Sequence, residues 1–344
     1  MKALRYLGQK KHEVIELPTP VIKENEVLVK VKACGICGSD IHGYLGLTGR
    51  RLAPMTQGHE FSGEIVERGN KVTKFNIGNR VVVQPCFFCG ECLYCKLDYT
   101  SVCVNKRFFG VFDIDGALAE YIAVPEKLLF SLSDKCTYEE GALIEPYSVA
   151  YASIKKVGLG ELKHKIVLII GAGTIGLSIL QLVKLQEPKI IIVSDLSDVR
   201  LNKAKDIGAD YTINPKREDY MKTVNSITEG EMVDVSFEAV GIQATANQAI
   251  KCLKSFGKAV WVGLSQNQIE INMQDVVASA RSVLGSYIYT HSEFGEMVEI
   301  LSRGELNTKQ LITKVITLEE SVDMFDDIYS YPDKYIKVIV DPSK

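Results

Sequence analysis

The chain has 344 residues, of which 46% are apolar and 24% charged, and its net charge is −3. That is enough chain for two domains and a large core, with the composition of a soluble globular protein. The scattered Lys and Arg and the slight negative charge give no footing for nucleic acid. Residues 1–11, MKALRYLGQKK, lack an apolar core, so no export signal is expected. The longest apolar run is broken by glycines, so no transmembrane helix is expected either.

Residues 1 to about 150 read as short strands and turns. The stretch 26–33, EVLVKVKA, alternates as a half-buried strand does, and 61–67 and 80–84 look the same. Turn signals at 68–70 and 77–79 separate them. An all-β domain with inserted loops is expected here.

Cys89, Cys92, Cys95 and Cys103 stand in CGECLYCKLDYTSVC. Four thiolates on such short loops can close a tetrahedral zinc site with no open position, whose role is structural. Cys86, three residues earlier, reads as a bystander. Metal spacing and the missing export signal favour a reducing cytoplasm over disulfides. A sparser set comprises Cys37 in GICGSDIH, His59 and Glu60 in QGHEFSG, and Glu145 in GALIEPYSV. One thiolate, one imidazole and one or two carboxylates suit zinc with an exchangeable position. Spacing alone also leaves plainer readings: a core cysteine, a satisfied polar histidine and a turn-capping glutamate.

From about residue 151 the pattern alternates between strands and helices. Strands are expected at 166–170, 190–194, 211–214, 233–237, 259–262 and 283–286, which fits a doubly wound parallel sheet. The central stretch is 165–176, KIVLIIGAGTIG, followed by a helix over 177–185. Gly171 permits a tight turn, Gly173 lets backbone approach a pyrophosphate, and Gly176 lets the helix pack on the strand. Thr174 and Ile175 complete this cradle. Asp195 closes the next strand, nineteen residues past Gly176, where a carboxylate can accept from the adenosine ribose hydroxyls. The tail, 294–344, is expected to add one helix and a last strand over 335–340 and to rejoin the first domain.

The chain resembles the zinc-dependent medium-chain dehydrogenases, and within them the sorbitol dehydrogenase-like polyol and diol enzymes. The resemblance runs the length of the chain, through GICGSDIH, GHEFSGEIVE, the four-cysteine stretch, DGALAEY, GALIEP, GAGTIG and DLSDVRLNKAKDIGAD. It implies an α/β chain with a GroES-like β catalytic domain at 1–150 and 288–344 and a Rossmann domain at 151–287. It implies NAD as cofactor and two zincs. Cys37, His59 and Glu60 would bind the catalytic zinc, with Glu145 bound directly or through water. Ser39 and His42 would relay the proton of a secondary alcohol to solvent while hydride passes to the nicotinamide, giving a ketone. Arg200 would lie along the adenosine, and Tyr44, Phe108 and Tyr287 would wall the substrate pocket. A homodimer or homotetramer is implied.

Animal sorbitol dehydrogenases carry an Arg where this chain has Ile288, and an aromatic residue where it has Gly43. Bacterial butanediol and galactitol-phosphate dehydrogenases look at least as close. Arg50 and Arg51 read as a solvated loop, with recognition of an anionic substrate as the other reading. Threonine dehydrogenase shares the zinc ligands and is the runner-up. A non-catalytic cofactor-binding protein is the rival from another class, but it should have lost ligands or relay residues that are intact here.

Overall fold

Alternating valine and lysine make Glu26–Gly35 a strand, with Val27, Val29 and Val31 fully buried and Lys30 and Lys32 half-buried. In the computed structural model, which describes residues 1–344, this strand lies inside a seven-stranded sheet. The order across the sheet is Leu129–Ser131, Arg80–Val83, Glu60–Arg68, Glu26–Gly35, Lys337–Val340 and Ile312–Ile316, and Tyr121–Pro125 also pairs with Glu26–Gly35. Register positions the chemistry. Gly35 stands opposite Glu60 on one side and Ile339 on the other. Period-two alternation then points Lys337 to the same face as Ile339.

Contacts divide the chain into Met1–Glu145 with Thr290–Lys344, and Pro146–Tyr289. The first unit opens on a hairpin absent from the sequence expectation. Lys2–Gly8 pairs antiparallel with Lys11–Glu16 and with Met55–Thr56. Its charged residues mask a short apolar set, of which Leu4 and Tyr6 enter the core. The tail carries two helices, His291–Ser302 and Ser321–Ser330, where one was expected. The second buries only Ser321, Met324 and Phe325, too narrow an apolar face to stand out in sequence. The last strand is Lys337–Val340, shorter than the 335–340 expected.

Pro146–Tyr289 holds a six-stranded parallel sheet. Its order is Tyr211–Ile213, Ile190–Ser194, Ile166–Ile170, Val233–Glu238, Leu253–Trp261 and Ser282–Gly285. This is the third-second-first-fourth-fifth-sixth arrangement of a doubly wound sheet. Ile166–Ile170, buried along its whole length, is the continuous apolar run a covered parallel strand requires. The helix after it spans Thr174–Lys184 and begins three residues before the expected start. Ser197 accepts from the Arg200 N–H to cap the next helix, Asp198–Ile207, and Gly208 ends it in a left-handed conformation. The fifth strand starts at Leu253 rather than 259, and Phe256 at φ 63° interrupts it, which hides its first half from a periodicity reading.

Candidate metal and dinucleotide sites

Cys37 precedes the short helix Gly38–Tyr44, and its sulfur accepts from the Ser39 N–H at 3.5 Å. Glu60 begins the strand Glu60–Arg68, with His59 just ahead of it. Strand pairing brings them together: ligand atoms of Cys37, His59 and Glu60 all lie within 4.8 Å of one another. His59 and Glu60 are 5% and 1% exposed. Glu145, also buried, stands outside that trio, in the helix Tyr138–Lys155.

Two buried ion pairs flank the trio. Asp40 is fully buried, pairs with Arg51 Nη2 at 2.8 Å and stands 3.5 Å from His59 Nδ1. Burial alone would raise the Asp40 carboxyl, but the His59 imidazole and Arg51 guanidinium outweigh it and hold it well below the usual carboxylate range. With Nδ1 facing a carboxylate, His59 has Nε2 available to an ion, the usual orientation of a metal-binding histidine. Lys337 bonds both oxygens of Glu60, at 2.8 and 2.5 Å. Burial would lower the Lys337 ammonium; the Glu60 charge outweighs it and raises it above its ordinary value.

The remaining residues named from sequence fall as follows. Ser39 and His42 are exposed on Gly38–Tyr44, and the Ser39 hydroxyl accepts from Arg51 at 3.3 Å. The Phe108 ring meets the His59 ring edge-on, with centroids 5.6 Å apart. Tyr287 is 40% exposed in the other unit. Tyr44 does not present a free hydroxyl. It is 3% exposed, donates to Asp326 at 3.1 Å and packs on His12 and Phe325, so we drop it as a pocket wall. Arg51 corrects another expectation. It is not solvated but 8% exposed and committed to Asp40 and Ser39, while Arg50 alone is exposed. Gly43 belongs to the same correction, because a Cβ there would lie 2.3 Å from Arg51 Cγ. The buried arginine occupies the space an aromatic side chain at residue 43 would need.

The sulfurs of Cys89, Cys92, Cys95 and Cys103 also lie within 4.8 Å of one another, with Cys89 to Cys103 at 3.5 Å and Cys89 to Cys95 at 3.9 Å. A tetrahedron of roughly 2.3 Å zinc–sulfur bonds has sulfur–sulfur edges of about 3.8 Å, so the donor set fits zinc. Backbone N–H groups of Cys95 and Val104 pull the Cys92 thiol down to about 6, toward the thiolate a metal needs. Cys86 stands outside the cluster, and burial pushes its thiol up to about 12.

In the other unit, Gly171 takes φ +98°, and a Cβ on Gly176 would lie 1.7 Å from the Gly171 carbonyl oxygen. A Cβ on Gly173 would find only Arg200 Nη1 within 4 Å, at 3.9 Å. The N-cap residue Gly173 contributes no side-chain cap to the helix that follows, a helix start of the kind that cradles an anion, with a guanidinium beside it. Asp195 accepts from the Ala172 N–H at 2.7 Å and the Ser197 N–H at 2.9 Å, which fixes its carboxylate beside the cradle. These residues fit a dinucleotide.

A β unit with two metal-ligand clusters, joined to a doubly wound unit with a glycine cradle, is the make-up of a metal-dependent dehydrogenase. The chain matches the alcohol dehydrogenase GroES-like domain over residues 23–134 and the zinc-binding dehydrogenase domain over residues 174–303. It is 34% identical to sorbitol dehydrogenase of Bacillus subtilis (strain 168) over 348 aligned residues, covering 100% of this chain and 98% of that protein. It is 33% identical to (R,R)-butanediol dehydrogenase of the same organism, with 100% of both covered. A putative zinc-binding dehydrogenase from Sinorhizobium meliloti 1021, solved bound to NADP, superposes with a TM-score of 0.90 at 30% identity over 99% of each chain. The chain therefore belongs to the zinc-dependent medium-chain alcohol and polyol dehydrogenase family, sorbitol dehydrogenase-like, and is an oxidoreductase. No helix is long and apolar enough to cross a membrane.

Sequence reasoning missed Asp40 and Lys337 and misread Arg51 as solvated. Asp40 carried a signal, as an acid two residues before His42 in a metal-binding stretch. Lys337 carried none, since it is a lone lysine inside the strand expected over 335–340.

Proposed function

We propose that this chain is an NAD-dependent dehydrogenase that takes hydride from a secondary alcohol of a polyol or vicinal diol and leaves a ketone. The carrying observation is the convergence of Cys37, His59 and Glu60 to within 4.8 Å. It occurs in a chain whose relatives are named for sorbitol and butanediol. Cys37, His59 and Glu60 would hold a catalytic zinc, with Glu145 as a further carboxylate acting directly or through water. Cys89, Cys92, Cys95 and Cys103 would hold a structural one. A bound zinc supplies Lewis acidity that eases loss of a hydroxyl proton.

The chain's own groups do the rest. Arg51 donates to one Ser39 lone pair, leaving the other to accept a substrate proton while the Ser39 O–H passes its own onward. His42, exposed on the same helix, exchanges with solvent. Phe108, edge-on to His59, would cover the substrate's carbon chain. We assign the metal chemistry to 1–150 and 288–344 and dinucleotide binding to 151–287. The reading includes a homodimer or homotetramer in the cytoplasm, a compartment that suits nine free cysteines.

NAD is favoured over NADP because Asp195 would repel a 2′-phosphate, and no Lys or Arg directly follows it. Asp195→Ala should narrow the preference by on the order of tenfold, a lost hydrogen bond and repulsion being worth over about a kcal/mol. Equal kcat/KM for the two cofactors in the unaltered chain would remove this part of the reading.

The decisive experiment follows NADH absorbance with 2,3-butanediol, 2-butanol, sorbitol, xylitol, galactitol 1-phosphate and threonine. A site that bonds a second hydroxyl leaves polar groups unpaired when it is missing, so the diol should exceed the mono-alcohol by at least roughly a hundredfold in kcat/KM. If 2-butanol matches every diol and polyol, the chain is a simple secondary alcohol dehydrogenase. Turnover of threonine alone would make it a threonine dehydrogenase.

A further inference from the structure

Lys337 is 2% exposed and has three polar partners: Glu60 Oε1 and Oε2, and the Ile36 carbonyl at 3.1 Å. An ammonium has three donors, so none is left over for substrate or water. The carboxylate it grips is equally confined, because a Cβ on Gly35 would lie 2.1 Å from Glu60 Oε2. Asp40 is matched in the same way by Arg51. Asp40 and Glu60 are therefore each paired with a cation of the chain itself.

We propose that Lys337 is a resident counter-cation that shares Glu60 with the metal, so that it holds the empty site together and weakens the site's grip on a divalent ion. The inference rests on the zinc reading of Cys37, His59 and Glu60. A carboxylate has enough lone pairs to meet an ammonium and a metal ion together. The ammonium, however, stays beside the ion and repels it in a buried setting where charge is poorly screened. The sign of this effect separates two roles. A lysine that merely orients Glu60 as a ligand would strengthen metal binding, and its removal would weaken it. A competing cation does the reverse.

The test strips the full-length chain of metal and titrates it with Co2+ against a chromophoric chelator, in wild type, Lys337→Met and Lys337→Arg, each with and without Cys37→Ser. The difference that Cys37→Ser makes isolates this site from the four-cysteine one. Lys337→Met should bind cobalt at the Cys37-dependent site at least about tenfold more tightly. Its metal-free form should melt earlier, and metal addition should raise its Tm by more than in wild type. Lys337→Arg should behave as wild type in all three. Unchanged or weaker cobalt binding by Lys337→Met overturns the proposal. If Lys337→Met does not fold, Lys337→Gln, neutral but still able to bond Ile36, must show the same signs. If Cys37→Ser leaves the cobalt stoichiometry of the otherwise unaltered chain unchanged, the zinc reading is what fails, and this inference falls with it.

Discussion

The two metal-ligand clusters of the β unit are built in opposite ways. The four cysteines come from residues 89–103, and around them Leu93, Tyr94, Leu97 and Tyr99 lie exposed. Little apolar contact holds that lobe, so on the proposed reading its shape would depend on what the sulfurs bind. The other cluster draws Cys37, His59 and Glu60 from separate stretches, sets them by strand register and surrounds them with the Asp40–Arg51 and Glu60–Lys337 pairs. This site is set by strand pairing and buried ion pairs of the chain itself. On the proposed reading, one cluster would use a metal to make structure, and the other would use structure to hold a metal.

The largest expected effect breaks that symmetry directly. Cys37→Ser should abolish turnover while circular dichroism and Tm stay near wild type. Cys92→Ser should instead open the lobe to limited proteolysis between residues 89 and 108, because structural zinc contributes to folding outright. Metal analysis should find two zincs in wild type and one in each variant. A Cys37→Ser chain that unfolds, or a Cys92→Ser chain with an intact lobe, would show that the contrast is false.

A smaller effect sharpens the comparison. Gly43→Ala would press on Arg51 Cγ, which is held between Asp40 and Ser39. Displacing a partner of a metal-binding histidine typically costs about 10- to 100-fold in activity or metal affinity. The same loss is expected here in kcat/KM, with the lobe untouched. Arg51→Met should do likewise and lower stability by about 3–5 kcal/mol, because the buried Asp40 carboxylate loses its guanidinium partner. Wild-type kcat/KM in both variants would remove Arg51 from the site.

What the sequence disclosed follows the same division. The four cysteines and the glycine cradle were legible because their chemistry is local: spacing alone places the sulfurs together, and a strand with three glycines makes the turn. Cys37, His59 and Glu60 needed a family resemblance, because only strand pairing joins them. Arg51 was read as solvated because it sits in a polar loop, yet it folds inward over Gly43 onto a buried acid. Lys337 was invisible because its partner lies 277 residues away. Tyr44 was placed in the pocket by family resemblance, whereas its ring packs on His12 and Phe325. Local chemistry can be read from one sequence, but buried charge pairs between distant segments cannot.

The smallest expected effect concerns pH and again touches one cluster only. His12 Nε2 lies 2.9 Å from Gln57 Oε1, and Gln57 in turn donates to the Asp40 carbonyl at 3.4 Å. His12 thus braces the segment that presents His59. Burial dominates its titration, outweighing the Gln57 bond and the Asp40 and Asp326 charges, and lowers it from 6.5 to about 4. The folded chain therefore takes this proton later than the unfolded chain as pH falls. The stability from a neutral His12 is complete above about 6.5 and is lost as pH drops from there toward 4. The slope is at most about 1.4 kcal/mol per pH unit. Amide-exchange protection of Lys11–Glu16 should fall between pH 7 and pH 5, after correction for intrinsic rates, while protection of the four-cysteine lobe changes less. His12→Phe should start from lower stability, having left Gln57 Oε1 without its His12 partner, but should lose that pH dependence. Equal slopes in wild type and His12→Phe would assign the acid sensitivity to other groups and show that the scaffold of the deep site does not titrate through His12.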